Sequence, residues 1–219
     1  MVSYEVVLPR KVKHLVVSEG ITQIDSYSFC NHRSLETVEL PDSLNILDCA
    51  CFYNCPFLKF VKLGKNTAVS QTCFEGSYWY NNIIKESEVG KDIYLGRTLI
   101  GWKGKKKKVI VRPGTEEIII HQDTLFEFLE EIHLPKSIKR VKLYLNHENC
   151  LKRLYIEDIN SYVSIEYQSE KDSLTNTNSG HFVDIFIRGE KTDSIIIDNP
   201  IGEIRKYVLY GANIKKSNN

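Results

Sequence analysis

Apolar residues fall along the chain in short alternating clusters, and the clusters recur. Leu35, Val38 and Leu40 reappear 23 positions on as Leu58, Val61 and Leu63, and 23 positions back stand Leu15 and Val17. The alternation is that of a strand with one buried face, because successive side chains of a strand point to opposite sides. The stretch between clusters repeats as well: Ile24 matches Leu47, and Ser28-Phe29 matches Cys51-Phe52. A shift of 94 carries the first units onto a second set. Leu15, Val17, Gly20 and Ile24 become Val109, Val111, Gly114 and Ile118; Leu35, Val38, Leu40 and Pro41 become Leu129, Ile132, Leu134 and Pro135; Leu44 and Leu47 become Ile138 and Val141. The unit continues at 22-residue spacing to Leu151, Leu154 and Ile156, and the pattern returns at Ile195, Ile197, Ile201 and Ile204, with Val208-Leu209 in the Ser28-Phe29 slot.

Each unit thus supplies a short strand, a turn and an apolar-punctuated return. One unit cannot bury its apolar face alone, whereas stacked units share a continuous core. The expected fold is a β-rich solenoid spanning 1–219 as a single domain. It has one parallel sheet on its concave face, with strands about 4.8 Å apart, and short helical turns or loops on the convex side. Two stretches break the period, about 75–108 and 158–194. Each holds strand-like runs, Asp92–Leu95 then Thr98–Trp102, and Phe182–Ile187, with Gly96 and Gly189 where tight turns are expected. Both are read as hairpin-containing insertions packed against the edge of the stack. The polar run from Gln168 to Gly180 is expected to be a mobile loop.

These residues resemble the BspA-like leucine-rich repeats. The resemblance rests on Phe52-x-x-Cys55-x-x-Leu58-x-x-Val61 and on the strand-ending prolines of Leu40-Pro41 and Leu134-Pro135. It also rests on the segments Phe74 to Asn82, Ile93 to Gly96, Gly101 to Gly104 and Leu154 to Asp158. His32 stands where the Phe-x-x-Cys step usually has Cys, and Asp123 where a core Phe is expected, with Leu125 and Phe126 placed to compensate. The Asn ladder of the common leucine-rich repeats is missing from the sequence pattern. The resemblance implies a leucine-rich-repeat solenoid and a non-catalytic role in protein interaction or adhesion, often at a bacterial cell surface or in secreted form. It implies no cofactor. The rival reading is a structural spacer, one segment of a longer surface protein with no partner of its own.

Composition changes little in this picture. A hydrophobic share of 42% and a charged share of 26% suit a folded protein, and a formal net charge of +1 supplies no global field for nucleic acid or anionic membrane. No run of 18 apolar residues exists, and MVSYEVVLPRKVKHLVV lacks the layout of a secretory signal. The chain opens and closes within repeat units, which favours a segment of a longer protein or a short family member.

Chemistry-bearing residues are few. Cys49, Cys51 and Cys55 with His32 could be zinc ligands by type. The repeat instead puts Cys51 and Cys73 in the small buried slot before the core Phe, and Cys55 and His32 in one equivalent slot, so packed free thiols are expected and no metal. A disulfide between Cys51 and Cys73 is geometrically conceivable. Lys103 to Lys108 is read as a solvated basic loop, and Asp92, Glu116, Glu117 and Glu130 as solvent-facing. Trp79, Tyr80 and Trp102 are expected to seal the first insertion. None of the histidines, His14, His32, His121, His133, His147 and His181, sits in a catalytic motif, so no catalytic residue is assigned.

The strand residues between the buried ones must face the other way. They make two columns: Val16, Glu39, Lys62, Ile110, His133, Tyr155 and Ile196, and beside them His14, Thr37, Phe60, Lys108, Glu131, Arg153 and Ser194. A nucleic-acid face would be uniformly basic, and this one mixes both signs with aromatics. Phe60, Lys62, His133, Arg153 and Tyr155 are therefore the expected contact patch for a protein or a glycan, with no nucleic-acid partner and no membrane insertion.

Overall fold

The Val-x-Leu clusters form strands of three or four residues, and the register is the one the repeat implies. A computed structural model describes residues 9–64, 66–69, 72–121, 123–144, 149–167, 169–176, 182–192, 195, 204–206, 208 and 209. The chain divides into two units, 1–87 with 94–98, and 88–93 with 99–219.

In the first unit β1 (His14–Val16), β3 (Thr37–Glu39) and β5 (Phe60–Lys62) form a parallel sheet in the order β1-β3-β5, while β2 (Gln23–Ile24), β4 (Ile46–Leu47) and β6 (Ala68–Val69) form a second in the order β2-β4-β6. Leu15, Val38 and Val61 are direct partners across the first sheet, and Ile24, Leu47 and Val69 across the second. The return segment is thus itself a strand, two residues long, and each repeat contributes to two parallel sheets. Val38, Leu40, Leu44, Leu47 and Val61 are buried between them. Leu63 is only half-buried, because β5 is the last strand of its sheet.

Phe29, Phe52 and Phe74 stack at the turns, with centroids 5.2 and 5.4 Å apart. Those turns close through left-handed residues at repeat-equivalent places: Tyr27, Ala50 and Thr72, then Asn31, Asn54 and Gly76. Asn tolerates this conformation better than most residues. Asn54 Nδ2 donates to Asn31 Oδ1 at 2.8 Å, joining two neighbouring turns. Glycine takes the third place, where a Cβ would lie 3.1 Å from Asn54 Cα.

Helix α1 (Tyr78–Glu86) follows, capped by Ser77, whose side chain accepts from Tyr80 N. The sequence pattern predicts no helix here. The hairpin β7 (Asp92–Leu95) and β8 (Thr98–Trp102) matches the expected runs. It does not merely pack on an edge: β8 is hydrogen-bonded to β10 (Glu117–Ile120), in the order β14-β12-β10-β8-β7 with β12 (Arg140–Leu143) and β14 (Glu166–Tyr167). Trp102 is buried against Phe126, centroids 5.9 Å apart. Phe126 is buried, while Asp123 and Leu125 are half-buried.

The other sheet of the second unit runs β16-β15-β13-β11-β9, from β9 (Lys108–Ile110), β11 (Glu131–Leu134), β13 (Arg153–Ile156), β15 (Asp184–Ile187) and β16 (Glu190–Thr192). Val109, Ile132, Leu154 and Ile185 are partners along it. Asp184–Ile187 is therefore the next parallel rung and not simply part of an insertion; β16 then folds back antiparallel on it. The extra length between rungs is taken up by α2 (Ile159–Val163), capped by Asp158, and by residues 169–176. Of the run expected to be a mobile loop, 168 and 177–180 lie outside the described residues, and 169–176 pack onto the repeats. Asp172 accepts from Leu143 N at 2.8 Å, Asn149 Nδ2 donates to the carbonyls of Leu174 and Asn176, and Ser173, Leu174 and Thr175 are buried. Ile197 and Ile201, expected to open a further unit, lie outside the described residues, as do Ser194 and Ile196. Of the rest of that expected unit, Ile204 is exposed and Val208 buried.

Candidate functional site

The outward residues of β9, β11, β13 and β15 form two side-by-side columns. The inner pairing fixes them: once Val109, Ile132, Leu154 and Ile185 point into the core, their neighbours must point out. One column is Lys108, Glu131, Arg153 and Asp184; the other is Ile110, His133, Tyr155 and Phe186. Lys191 of β16, the direct partner of Phe186, joins the same face.

The first column alternates in sign, and both of its carboxylates are paired. Lys108 Nζ lies 2.7 Å from Glu131 Oε1, Arg153 Nε donates to Glu131 Oε2 at 2.9 Å, and Lys191 Nζ lies 2.7 Å from Asp184 Oδ2. His133 Nε2 is also 2.7 Å from Glu131 Oε1. Hydrogen bonds from Lys108 first, then His133 and Arg153, pull the Glu131 carboxyl down to about 2 against the opposing effect of burial. Glu131 was expected to be an exposed column member; these partners draw it down until it is nearly covered. Before the strands a second alternating row runs through Lys107, Glu130 and Lys152, at 3.3 and 3.2 Å.

The second column is a stack of rings. His133 and Tyr155 are parallel within 1° at 4.1 Å between centroids, and Tyr155 and Phe186 within 16° at 4.4 Å. All three remain half-exposed, while Ile110 at the end of the column is largely open. The face thus has a continuous aromatic spine beside a charge ladder.

Of the five residues expected to form the contact patch, the structure brings His133, Arg153 and Tyr155 together in the second unit. Phe60 and Lys62 stand on β5 of the first unit, where Phe60 is half-exposed and Lys62 lies 3.6 Å from Glu39. Phe186 and Asp184 were missed. Their signal is present in the chain, since Ile185-Phe-Ile187 repeats Leu154-Tyr-Ile156, but at a step of 31 residues instead of 22 or 23.

Other expectations change at these distances. The lysine run is not simply solvated: Lys105 lies over the Phe128 ring at 4.3 Å, Lys106 is 2.6 Å from Asp92, and Lys107 and Lys108 join the two ladders. Glu117, read as solvent-facing, is buried on β10 beside the Arg140 guanidinium; burial pushes its carboxyl up and Arg140 opposes this. The cysteines are all free thiols. Cys51 donates to Asp48 O at 2.9 Å and Cys55 to Phe29 O at 3.3 Å, and His32 Nε2 lies 3.0 Å from Pro9 O. Among the described residues, no three His, Cys, Asp or Glu side chains converge as a metal site requires, and no helix is long and apolar enough to cross a membrane.

Short strands stacked in register at 22 or 23 residues, with a Phe stack at the turns, define a leucine-rich-repeat fold. Residues 9–93 match the BspA type leucine rich repeat region, found in six copies. Two solved structures are similar in part. A leucine rich cell surface protein from Faecalibacterium prausnitzii A2-165 is 17% identical, with a TM-score of 0.34 over 72% of this chain and 36% of that one. A leucine-rich repeat protein from Bacteroides ovatus ATCC 8483 is 13% identical, with a TM-score of 0.30 over 71% of this chain and 45% of that one. This chain therefore spans less than half the length of either. No curated protein matches the chain.

Proposed function

We propose that the chain is a non-catalytic interaction module and that it binds through the outward face of β9, β11, β13 and β15. One observation carries this reading: His133, Tyr155 and Phe186 form a half-exposed aromatic stack fixed beside Arg153. Aromatic and arginine side chains dominate the energy of protein interfaces, and here both are held rigidly by strand register and ion pairs, so little freedom is lost on binding. Phe60 and Lys62 form a separate candidate contact on the first unit. The repeat type supports placement at a cell surface, and a role in adhesion belongs to the same proposal.

The test is panning of a peptide-display library against the whole chain, with binders compared on the parent and on a Tyr155→Ala variant shown by circular dichroism to be folded at the assay temperature. Binders that lose the variant support this face. Binders indifferent to Tyr155→Ala but lost with Phe60→Ala move the contact to β5. A chain that selects nothing is a spacer.

A further inference from the structure

We infer that the partner of this face is an acidic polypeptide segment that also carries apolar side chains; the inference rests on the binding face proposed above. The charge ladder is balanced in its pairs but not in its presentation. Its carboxylates lie low, with side chains 12% exposed at Glu131 and 30% at Asp184, whereas its cations reach outward, 50% exposed at Lys108, 42% at Arg153 and 54% at Lys191. Each of the three cations is thus more exposed than the anion it pairs with. The row before the strands repeats the arrangement, with Lys107 and Lys152 flanking Glu130. An approaching molecule meets positive charge first although the whole chain carries only +1.

The aromatic spine points the same way. Tyr155 has one ring face against His133 and the other against Phe186, so it offers solvent only its rim. The rim of an aromatic ring is the positive part of its quadrupole. Ring edges and ammonium groups therefore both complement carboxylates. The covered faces also argue against sugars, whose C–H surfaces need an open ring to lie on. Ile110 at the end of the column is open and suits an apolar side chain.

The experiment measures binding of the whole chain to three labelled probes by fluorescence anisotropy: a random copolymer of glutamate and tyrosine, polylysine and heparin. The Glu–Tyr copolymer is expected to bind, to weaken as salt is raised, and to lose about tenfold in affinity with Lys108→Gln plus Lys191→Gln. Lys191→Gln alone, on the exposed β16, serves if the pair lowers the melting temperature. Copolymer binding that ignores these variants overturns the inference. So does heparin binding without copolymer binding, which would make the ligand an acidic glycan, and so does binding of neither. In each of those cases the Tyr155→Ala panning still decides separately whether the face binds anything.

Discussion

Tyr155 lies on His133 with ring centroids 4.1 Å apart because the two are direct partners in the parallel β11–β13 register. Parallel strands stand about 4.8 Å apart, so the rings lean together to reach contact. Such a pair contributes about 0.5–1.5 kcal/mol beyond the area it buries. A double-mutant cycle of His133→Ala and Tyr155→Ala, read by denaturant unfolding, should return a coupling energy of that size. Strict additivity would show that the stack contributes nothing to folding.

Leu40 follows β3 and is buried in the core of the first unit. Leu40→Asp forfeits roughly 1.5–3 kcal/mol of apolar burial and adds a carboxylate with no cation built to meet it. The variant should melt well below the parent. An unchanged melting curve would mean that the strand faces are assigned the wrong way round.

Two glutamates should bend the pH dependence of stability in opposite directions. Glu131 is held down to about 2 in the folded chain, so its contribution is fully present above the ordinary carboxylate value of 4.5 and is lost as pH falls toward 2. Glu117 is raised by burial, so its ionisation costs stability as pH climbs past 4.5. Glu131→Gln should flatten the acid limb of the stability profile, and Glu117→Gln should remove a loss on its neutral side. Matching profiles for the two variants would contradict the opposed environments.

Thiol reactivity should follow burial, because the thiolate is the reacting species. Burial pushes the Cys55 thiol up to about 11 and raises Cys73 as well. Cys51 is also fully covered. In an Ellman titration of native protein, Cys51, Cys55 and Cys73 should react far more slowly than in the unfolded chain. Prompt labelling of all six would sink this packing.

Gly96 turns the β7–β8 hairpin at φ 54°, and a Cβ there would lie 2.0 Å from Thr67 O. Gly114 has φ 82° with open space around it. Gly114→Ala should therefore cost only the left-handed backbone, about 1–2 kcal/mol, and Gly96→Ala clearly more. Equal losses in thermal unfolding would remove the steric argument.

The sequence by itself determined the rungs. Leu15, Val38 and Val61, like Val109, Ile132 and Leu154, announce their pairing because a repeat of fixed length brings equivalent residues together and alternation states which side is buried. It placed Phe29 and Phe52 in one slot, and Cys51 and Cys73 in the buried slot before the core Phe, for the same reason; that these rings stack is a finding of the structure. What needed the tertiary structure was whatever depends on a partner outside the repeat. The return strands of the first unit, β2, β4 and β6, are two residues long, too short to show a period, and acquire their sheet only by stacking. Asp184–Ile187 became a rung because residues 169–176 fold onto Leu143 and Asn149, which no local pattern records. Glu117 and Glu131 read as surface residues because charge favours water, and they are buried only where Arg140, Lys108 and Arg153 converge on them. Local pattern fixes which way a side chain points, while the company it keeps there is set by residues a rung or more away.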